Sequence, residues 1–452
     1  MPQQKHPSGQ TTTANYASTS YSKARYAHPF FLPAPPGQRQ PINGHSSMTD
    51  WSKQQLGPIP PVARGGNLDL SEVIGAQGVK EIEDLGEIRF HALGDSGVGN
   101  AHEAQQISDE MATDFKVGAG GLNPAFLFHL GDVIYGNDKG NHYGERFYIP
   151  YKHYPGKILA IPGNHDGEVK SPADSPSLTA FRANFCAATA AVPPQASGSG
   201  IYRETMTQPG VYWFLDAPFV QIIGLYSNLL ENPGYLEGIT AGKGDTSQLD
   251  WLGQTLPSIA KAKQKKALVI ATHHPPFSQS GHSGSTEMSQ SIDAVCTKAG
   301  VFPDLFLSAH AHNYQRYTRR IGGKQVPYIV VGTGGMPPQP VTTATGQPAD
   351  ATHEVTYDAA MSSLGYLFVT APAKQITVQF WQLGSQHTKP FDQLTIDLAT
   401  HGSVISPPID ADARSCIRAS YCCVTPIGLA RICPSVCKTA HIVASVIIAM
   451  PT

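Results

Sequence analysis

Long hydrophobic runs are absent from this chain of 452 residues. The longest late candidate, residues 442–450, is much shorter than the ~18 to 20 apolar residues of a membrane-spanning helix. Basic residues near the N-terminus are not followed by an apolar core, so we expect neither a transmembrane segment nor a secretory signal peptide. These absences favour a cytoplasmic location and argue against a membrane partner.

An excess of charge of either sign is also missing, since 32 Lys and Arg stand against 34 Asp and Glu. The chain therefore has no global attraction to nucleic acid or to an anionic membrane, and any recognition of an anion must be local. A basic cluster, KAKQKK at residues 261–266, is typical of the solvated C-terminal end of a helix. A nucleic-acid contact is the alternative, but the helix end is the simpler explanation, and we expect no nucleic-acid partner.

Cysteine is scarce in the body of the chain, which holds only Cys186 and Cys296 of the seven. The other five crowd a late segment, at positions 416, 422, 423, 433 and 437. Their spacing does not match the paired CxxC pattern of a zinc site, although zinc binding is the alternative reading. The body is therefore not expected to depend on disulfides.

Composition divides the chain into three parts. Residues 1–80 are rich in Pro, Gly, Ser and Gln, and the first 49 contain no acidic residue. This is typical of a disordered or linker-like extension, with a transit peptide as the alternative, and we expect little packed structure before Glu81. Residues 81–402 carry the motifs of one catalytic domain, and residues 403–452 form a cysteine-containing tail of uncertain structure.

The most informative pattern is a set of short apolar strands that each end in a polar residue able to bind a metal. FLFHLGDVIYG is the clearest: an apolar run stops at Gly131, and Asp132 and Tyr135 follow. The same form recurs in four other segments. The residues at these strand ends are Asp95, Asp132, Asn164 with His165, His273, and His310 with His312. In open α/β sheets the carboxyl ends of the strands face the ligand crevice, so these side chains are expected to meet there.

The spacing of the first three motifs predicts neighbouring parallel strands. Asp95 and Asp132 are 37 positions apart, and Asp132 and Asn164 are 32 apart, which is the size of a βαβ unit at about 30 residues. The later segments VPYIVVGTGG, GYLFVTA and ITVQFWQL alternate in polarity and predict an antiparallel finish.

A mixed set of Asp, Asn, His and Tyr favours first-row metals over calcium or magnesium. So many ligands require two ions, and Asp132 is the natural bridge between them. Taken singly, each residue has an ordinary structural explanation as a turn, cap or core residue. Their common order at crossover spacing favours the metal centre.

That order resembles the calcineurin-like metallophosphoesterase superfamily. The blocks that carry the resemblance are Gly94-Asp95-Ser96-Gly97, Gly131 to Tyr135, Gly163-Asn164-His165-Asp166, Val269 to His274, and Ala309 to His312. The fifth block departs from the family pattern, because Ala309 stands where the family usually has glycine.

Within that superfamily the chain resembles the purple acid phosphatases of the tartrate-resistant type. Most of the superfamily has a histidine where this chain has Gly97, and the purple acid phosphatases supply a tyrosine at the place of Tyr135. A phenolate ligand favours ferric iron, so the resemblance implies Fe(III) paired with Fe(II), Zn(II) or Mn(II).

The resemblance also implies a fold and a ligand set. The fold is a four-layer α/β/β/α sandwich of two mixed sheets flanked by helices. The first ion would be held by Asp95, Asp132, Tyr135 and His312. The second would be held by Asp132, Asn164, His273 and His310.

The activity implied is hydrolysis of a small phosphoric ester by a metal-bound hydroxide, most simply as an acid phosphatase. Asp132 would bridge the ions, His165 would contact the phosphate or protonate the leaving group, and His282 would stand just outside the ligands. A phosphodiesterase or nucleotidase on the same core is the nearest alternative. A non-catalytic phosphate-binding scaffold is the third.

Overall fold

The computed structural model describes residues 45–98, 102–136, 142–169, 176–262, 265–343, 345–349, 354–385 and 388–405. The cysteine-containing tail from residue 406 onward and the first 44 residues of the expected N-terminal extension lie outside this described part. Among the described residues, no helix combines the length and the apolar character that crossing a membrane would require.

Eight α-helices occur in the described residues: α1 Asp50–Gln54, α2 Leu70–Leu85, α3 His102–Ala112, α4 Asn164–Gly167, α5 Thr179–Phe185, α6 Pro194–Ser197, α7 Ser247–Lys261 and α8 Thr286–Ala299. The strands of the same residues are β1 His45–Ser46, β2 Asn67–Asp69, β3 Glu87–Leu93, β4 Phe126–His129, β5 Lys157–Ala160, β6 Trp213–Asp216, β7 Val220–Gly224, β8 Gly238–Thr240, β9 Lys243–Asp245, β10 Ala267–Ala271, β11 Gly284–Ser285, β12 Leu305–Ser308, β13 Tyr314–Ile321, β14 Lys324–Val331, β15 Gln347–Pro348, β16 Val355–Met361, β17 Gly365–Pro372, β18 Gln375–Gln382, β19 Asp392–Asp397 and β20 Ser403–Ile405.

One sheet has seven strands in the order β20-β19-β18-β17-β3-β4-β5. Strands β3, β4 and β5 are parallel neighbours, so the arrangement predicted from the motif spacing is confirmed. Strands β17 to β20 continue the sheet antiparallel, with β17 against β3. The expected antiparallel finish is therefore present for GYLFVTA and ITVQFWQL, whereas VPYIVVGTGG forms β14 of the other sheet, parallel to β12 and antiparallel to β13.

The second sheet has nine strands in the order β15-β16-β13-β14-β12-β10-β7-β6-β2. Its centre is parallel, because β7, β10, β12 and β14 run in one direction. Strands β13 and β16 join antiparallel at one side, and β6 joins antiparallel at the other. Both sheets are therefore mixed.

The main core contains buried side chains from both sheets. Phe128 of β4 packs against Trp213 of β6 with ring centroids 5.2 Å apart. A second cluster lies between the nine-stranded sheet and the pair α7 and α8, with Leu252, Ile270 and Ile292 among its members. Helix α3 contacts β17 of the seven-stranded sheet. The predicted α/β fold with two mixed sheets and flanking helices is confirmed.

The expectation of little packed structure before Glu81 is wrong for the described residues. Strand β2 pairs with β6, and α2 begins at Leu70 with a capping box formed by Asp69 and Glu72. Leu68, Leu70 and Val73 are buried. Proline and glycine in the preceding segment do not prevent packing, because its backbone groups find partners elsewhere in the chain, such as Ile239 N–H donating to the Gly57 carbonyl at 3.1 Å.

Candidate metal centre

Three of the expected metal ligands have a backbone conformation that is rare outside glycine. Asp95, Asp132 and His310 come shortly after β3, β4 and β12, and their φ angles are 61°, 50° and 67°. Non-glycine residues with positive φ are uncommon and concentrate at functional sites. The backbone N–H of His310 donates to Asp95 Oδ2 at 2.8 Å, so the ends of strands from the two sheets are tied together at this point.

Glycines make room for these turns. A Cβ on Gly163 would overlap the Asp132 carboxylate, and Gly131 has a φ of 100°. Ala309, the departure from the family pattern, is fully buried, and its Cβ lies where a Cβ on Gly94 would have to be. The extra methyl at position 309 therefore fits because its neighbour at position 94 has none.

Tyr135 reaches the first group of ligands. Its hydroxyl donates to Asp95 Oδ1 at 3.0 Å and lies 3.3 Å from His312 Nε2. His312 Nε2 is itself 3.6 Å from Asp95 Oδ1. The phenol, the carboxylate and the imidazole thus converge on one small region.

The second group is centred on Asp132, His273 and His310, which are all buried. Each offers one ligand atom, and these three atoms lie within 4.8 Å of one another. His273 Nε2 is 3.5 Å from Asp132 Oδ1 and 3.2 Å from His310 Nδ1. This is the spacing of atoms that share one ion.

The backbone decides which nitrogen of each imidazole faces the site. His273 Nδ1 donates to the Leu130 carbonyl at 2.9 Å, and His310 Nε2 donates to the Glu231 carbonyl at 2.7 Å. A carbonyl oxygen can only accept, so each ring donates its N–H to that carbonyl. The other nitrogens, His273 Nε2 and His310 Nδ1, lie 3.2 Å apart and can each offer a lone pair to a metal ion.

Asn164 completes this group. Its Oδ1 is 3.0 Å from His273 Nε2, while its Nδ2 donates to the Glu231 carboxylate at 3.2 Å. The second bond fixes the amide so that its oxygen, the atom able to bind a metal, faces inward. Glu231 therefore orients Asn164 with its side chain and His310 with its backbone.

Asp132 has a buried carboxylate oxygen that is not satisfied by a hydrogen bond from the described residues. Its Oδ1 accepts the backbone N–H of His165 at 3.0 Å, whereas its Oδ2 is buried with no hydrogen-bond partner among the described residues. A buried carboxylate oxygen without a partner costs free energy unless an ion or proton binds it. The donor set of carboxylate, amide, phenol and imidazole fits first-row metal ions.

The charges of the site are strongly coupled to one another. Burial raises the pKa of Asp95 to about 7, with a further contribution from the Asp132 carboxylate. Burial also opposes ionisation of Asp132, but the nearby His273 and His165 hold the pKa of Asp132 well below its usual range. Although burial disfavours its charged form, Asp132 raises the pKa of His273 to about 9. Asp132 therefore stays ionised beside a protonated His273, whereas Asp95 is shifted toward its neutral form.

His165 lies at the mouth of the site with 23 % of its side chain exposed. Its Nδ1 is 2.8 Å from Glu168 Oε1, and its Nε2 is 3.9 Å from Glu231 Oε2. Its ring packs on that of Tyr135 with centroids 4.5 Å apart. It thus stands beside both ligand groups without joining either.

His282 also lies beside the site. Its ring centroid is 4.2 Å from that of His310 and 5.3 Å from that of His312. Its Nε2 is 3.0 Å from Gln339 Nε2, and its Nδ1 is 3.6 Å from Glu231 Oε1. His282 therefore packs beside two candidate ligands, His310 and His312.

His274, adjacent to a candidate ligand, serves a different purpose. Its Nδ1 is 2.8 Å from Ser227 Oγ, and its Nε2 donates to the Leu230 carbonyl at 2.7 Å. Both nitrogens are therefore used within the loop that follows β7. Burial lowers the pKa of His274 to about 3, which keeps the ring neutral.

Asp166 belongs to the third motif and has a structural role that the sequence analysis did not predict. Its carboxylate accepts backbone N–H groups of Val133 at 3.1 Å, Ile134 at 3.2 Å and Gly163 at 2.9 Å. These bonds join the turn after β4 to the turn after β5. The sequence signal for this role is the position of Asp166 directly after Asn164 and His165.

Glu231 is the functional residue that sequence reasoning missed altogether. It lies between β7 and β8 in an irregular segment with no motif. Its contacts with candidate ligands depend on the loop conformation, and no spacing rule predicts that. The local sequence signal is the Asn232-Pro233 dipeptide that follows it, which indicates a turn.

Comparison with curated proteins gives no match. Among solved structures, similar ones include GAP50, described as the anchor in the inner membrane complex of Plasmodium (11% identity, 74% of this chain, 93% of that chain, TM-score 0.47). PhoD is also similar (12% identity, 71% and 72%, TM-score 0.42). A predicted phosphoesterase from Streptococcus pneumoniae gives 11% identity, 66% and 90% coverage, and a TM-score of 0.24.

The family model for calcineurin-like phosphoesterases matches residues 88–314. These residues begin in β3 and end in β13, so they include every candidate ligand. On this match, the chain belongs to the calcineurin-like phosphoesterase family and carries a buried Asp and His candidate metal site.

Proposed function

We propose that this protein is a dinuclear-metal phosphoric ester hydrolase that acts on small phosphomonoesters in the manner of an acid phosphatase. The observation that carries the proposal is the convergence of Asp132, His273 and His310, with ligand atoms within 4.8 Å of one another. The buried, unpartnered Oδ2 of Asp132 adds an anionic atom that needs a cation.

Two ions account for the whole donor set. The first would be held by Asp95, Asp132, Tyr135 and His312, and the second by Asp132, Asn164, His273 and His310. Bound metal ions would lower the pKa of water and so supply a nucleophile near neutral pH. Asp132 is the one residue common to both groups, which agrees with its central position and its unused oxygen.

Residues beside the ions have the other proposed roles in substrate binding and acid catalysis. His165 Nε2 is placed to contact a phosphoryl oxygen or to give a proton to the departing alcohol oxygen, the usual role of an imidazole in acid catalysis. His282 supports the ligand histidines through ring packing on His310 and His312. Together with the exposed Glu231 they form the rim that a small phosphorylated substrate would meet.

Tyr135 supports the finer assignment to a purple acid phosphatase-like enzyme with Fe(III) and a divalent partner. Burial and the carboxylates of Asp95 and Asp132 raise the pKa of Tyr135 well above its ordinary value. A phenolate at this position therefore needs a strongly charged cation to stabilise it, and a trivalent ion does this best. Gly97 in place of a histidine leaves the phenol as the available replacement ligand.

The deciding experiment compares hydrolysis of an aryl phosphate monoester and the matching diester, with protein purified without chelators and assayed from acid to neutral pH. Faster monoester turnover with an acidic optimum is expected. Preference for the diester would move the protein to the phosphodiesterase branch, which shares this core. Absence of turnover with any added metal would contradict an enzymatic role.

A matched variant pair tests the site itself. Asp132→Ala should abolish turnover, because it removes the ligand shared by both ions, whereas Asp84→Ala at the exposed end of α2 should leave it unchanged. Near-normal turnover in Asp132→Ala would overturn the proposal.

Visible absorption from a phenolate-to-iron transition, present in the wild type and absent in Tyr135→Phe, would support Fe(III), and metal analysis would identify its partner.

A further inference from the structure

Residues 226–237, between β7 and β8, form a loop that carries Glu231 to the metal centre, and we call it the Glu231 loop. Its two ends lie side by side, because the Tyr235 N–H donates to the Ser227 carbonyl at 3.0 Å. Gln248, in the first turn of α7, also donates to backbone carbonyls at both ends, at 2.8 and 2.9 Å. Compact loops whose ends are held together in this way are frequently functional.

Asn228 lies at the base of the Glu231 loop and joins it to the N-terminal part of the chain. Its Oδ1 accepts the N–H groups of Gly57 and Leu229, both at 2.8 Å, and its Nδ2 donates to the Glu237 carbonyl at 2.8 Å. Asn228 is fully buried and has a φ of 67°, a conformation that asparagine tolerates better than most residues. One amide therefore holds both ends of the loop and a segment outside the family match, which begins at residue 88.

Gly57 packs closely against this base. A Cβ on Gly57 would lie 2.4 Å from Leu229 Cδ2. The Gly57 carbonyl accepts the Ile239 N–H at 3.1 Å, so both backbone groups of Gly57 are bonded to residues in or just after the loop. The N-terminal segment therefore braces the base of the Glu231 loop.

The carboxylate of Glu231 depends on the loop backbone for its position. Its side chain is 53 % exposed, and the nitrogens His282 Nδ1 at 3.6 Å and His165 Nε2 at 3.9 Å are beyond ordinary hydrogen-bond distance. Among the described residues, the carboxylate accepts a hydrogen bond only from Asn164 Nδ2, at 3.2 Å. The Glu231 backbone is held on the metal side by His310, whose Nε2 donates to its carbonyl at 2.7 Å, and on the other side by the loop base.

We propose that Asn228 is a positioning residue for the metal centre, and that through Asn228 the N-terminal segment contributes to metal binding. The inference rests on the proposed dinuclear hydrolase. By fixing the base of the Glu231 loop, Asn228 keeps the Glu231 carboxylate within reach of Asn164, whose amide oxygen then faces the ion. Groups that orient metal ligands change metal affinity by about 10- to 100-fold when they are removed.

The test compares metal retention in Asn228→Gly, Glu231→Ala and the double variant, by dialysis against graded chelator with metal analysis. Glycine at position 228 accepts the positive φ without strain and removes only the amide. Asn228→Gly should weaken retention of one ion by about 10-fold. The double variant should lose no more than Glu231→Ala alone, because both substitutions act on the same contact with Asn164 and such effects are not additive.

Asn123→Gly is the matched control. The Asn123 amide also pairs with backbone groups, those of Lys116 at 2.8 and 3.1 Å. It precedes β4, at the edge of the sheet opposite to the metal ligands. Asn123→Gly should therefore retain both ions.

A second variant and a second readout require neither turnover nor the removal of Asn228. Gly57→Val forces the N-terminal segment away from Leu229, so it should weaken retention of the same ion. In metal-free protein, the backbone amides of residues 226–237 should exchange hydrogen faster in Asn228→Gly and in Gly57→Val than in the wild type. The amides of β18, in the other sheet, should exchange at the wild-type rate in both variants.

The outcomes separate this proposal from the proposed function. Wild-type retention of both ions in Asn228→Gly, losses that multiply in the double variant, or unchanged exchange of the Glu231 loop would each overturn the role of Asn228. A wild type that retains two ions but hydrolyses neither the monoester nor the diester would contradict the proposed function alone, and retention and exchange would still decide the role of Asn228. A wild type that retains no ion would overturn both proposals.

Discussion

Gly97 lies against the backbone of Ile134, so close that a Cβ on Gly97 would overlap the Ile134 Cα. The two segments are joined by hydrogen bonds from Gly97 N–H to the Asp132 carbonyl at 3.3 Å and from Tyr135 N–H to the Gly97 carbonyl at 3.0 Å. This contact positions Tyr135 so that its hydroxyl reaches Asp95 Oδ1 at 3.0 Å. The glycine at position 97 therefore allows the backbone contact that brings Tyr135 to Asp95.

Restoring the common histidine by Gly97→His should accordingly damage the site. The new side chain must push the turn at Ile134 outward, at a cost of about 1–3 kcal/mol for overpacking, and Tyr135 moves with it. We expect a lower melting temperature and loss of one metal equivalent, measured by thermal unfolding and metal analysis. The control, Gly253→Ala in α7, has only a contact at 3.9 Å and should be neutral or stabilising. Wild-type metal content in Gly97→His would refute this account.

Much of this arrangement was predictable because it depends on strand order. Motif spacing fixed β3, β4 and β5 as parallel neighbours. Parallel strands put residues that follow them, such as Asp95, Asp132 and Asn164, at one edge. The positions of His273 and His310 followed from the same rule applied to the second sheet.

The contacts made by loops were not predictable. Glu231 and Glu168 meet the site through irregular segments whose path depends on packing, as with Gly167 against Tyr226. Composition was misleading before residue 81, because proline and glycine also occur in extended chain that packs, as at the buried Ile59. Periodicity describes regular elements, and these segments have none.

A buried ion pair joins the two sheets and should be essential for stability. Arg316 of β13 donates through Nε to Asp392 Oδ2 of β19 at 2.6 Å, and Tyr314 donates to the same oxygen at 2.8 Å. Asp392→Ala leaves the buried guanidinium with the Asp358 carboxylate at 3.1 Å but removes its hydrogen bonds to Asp392, so we expect the free energy of unfolding to fall by about 1–3 kcal/mol in urea titration. The exposed pair Lys80 and Asp84 offers the control, and Asp84→Ala should cause no measurable change. Equal effects of the two substitutions would contradict the assigned importance of burial.

His129 should make stability depend on pH. Burial lowers the pKa of His129 to about 3 from 6.5, so the folded protein keeps this ring neutral while the unfolded chain protonates it below about pH 6.5. The unfolded state then binds the extra proton, and the stabilisation present above pH 6.5 is lost as pH falls towards 3.

His129→Gln should therefore flatten the pH dependence of the free energy of unfolding, by up to ~1.4 kcal/mol per pH unit between pH 6 and 4. Urea titrations of both proteins at several pH values measure the difference. An unchanged slope in His129→Gln would show that the buried ring is not the group that takes up the proton.

The two cysteines of the described residues should be slow to alkylate in the folded protein. Burial raises the pKa of both Cys186 and Cys296 to about 12, and the thiolate is the reactive form. Treatment with iodoacetamide at pH 8, followed by peptide mass spectrometry, should find both largely unmodified. Full modification in urea is the control, and rapid labelling of Cys296 without urea would contradict its buried position.

Glu231 should control metal affinity although it is not itself an expected ligand. Its carboxylate accepts Asn164 Nδ2, which points the amide oxygen toward His273. Without that partner the amide is free to rotate and present nitrogen to the ion, so Glu231→Ala should weaken retention of one ion by about 10- to 100-fold. Dialysis against graded chelator with metal analysis measures this.

The other orienting contact of Glu231 survives the substitution, because its backbone carbonyl still accepts His310 Nε2. Loss should therefore be confined to one ion and should be smaller in Glu231→Gln, which keeps an accepting oxygen for Asn164. Glu204→Ala, an exposed carboxylate paired with Lys157 at 3.2 Å, is the matched control and should keep both ions. If Glu231→Ala also retains both ions with wild-type affinity, the metal ligands alone hold Asn164 in place. The Glu231 carboxylate then does not contribute to metal binding.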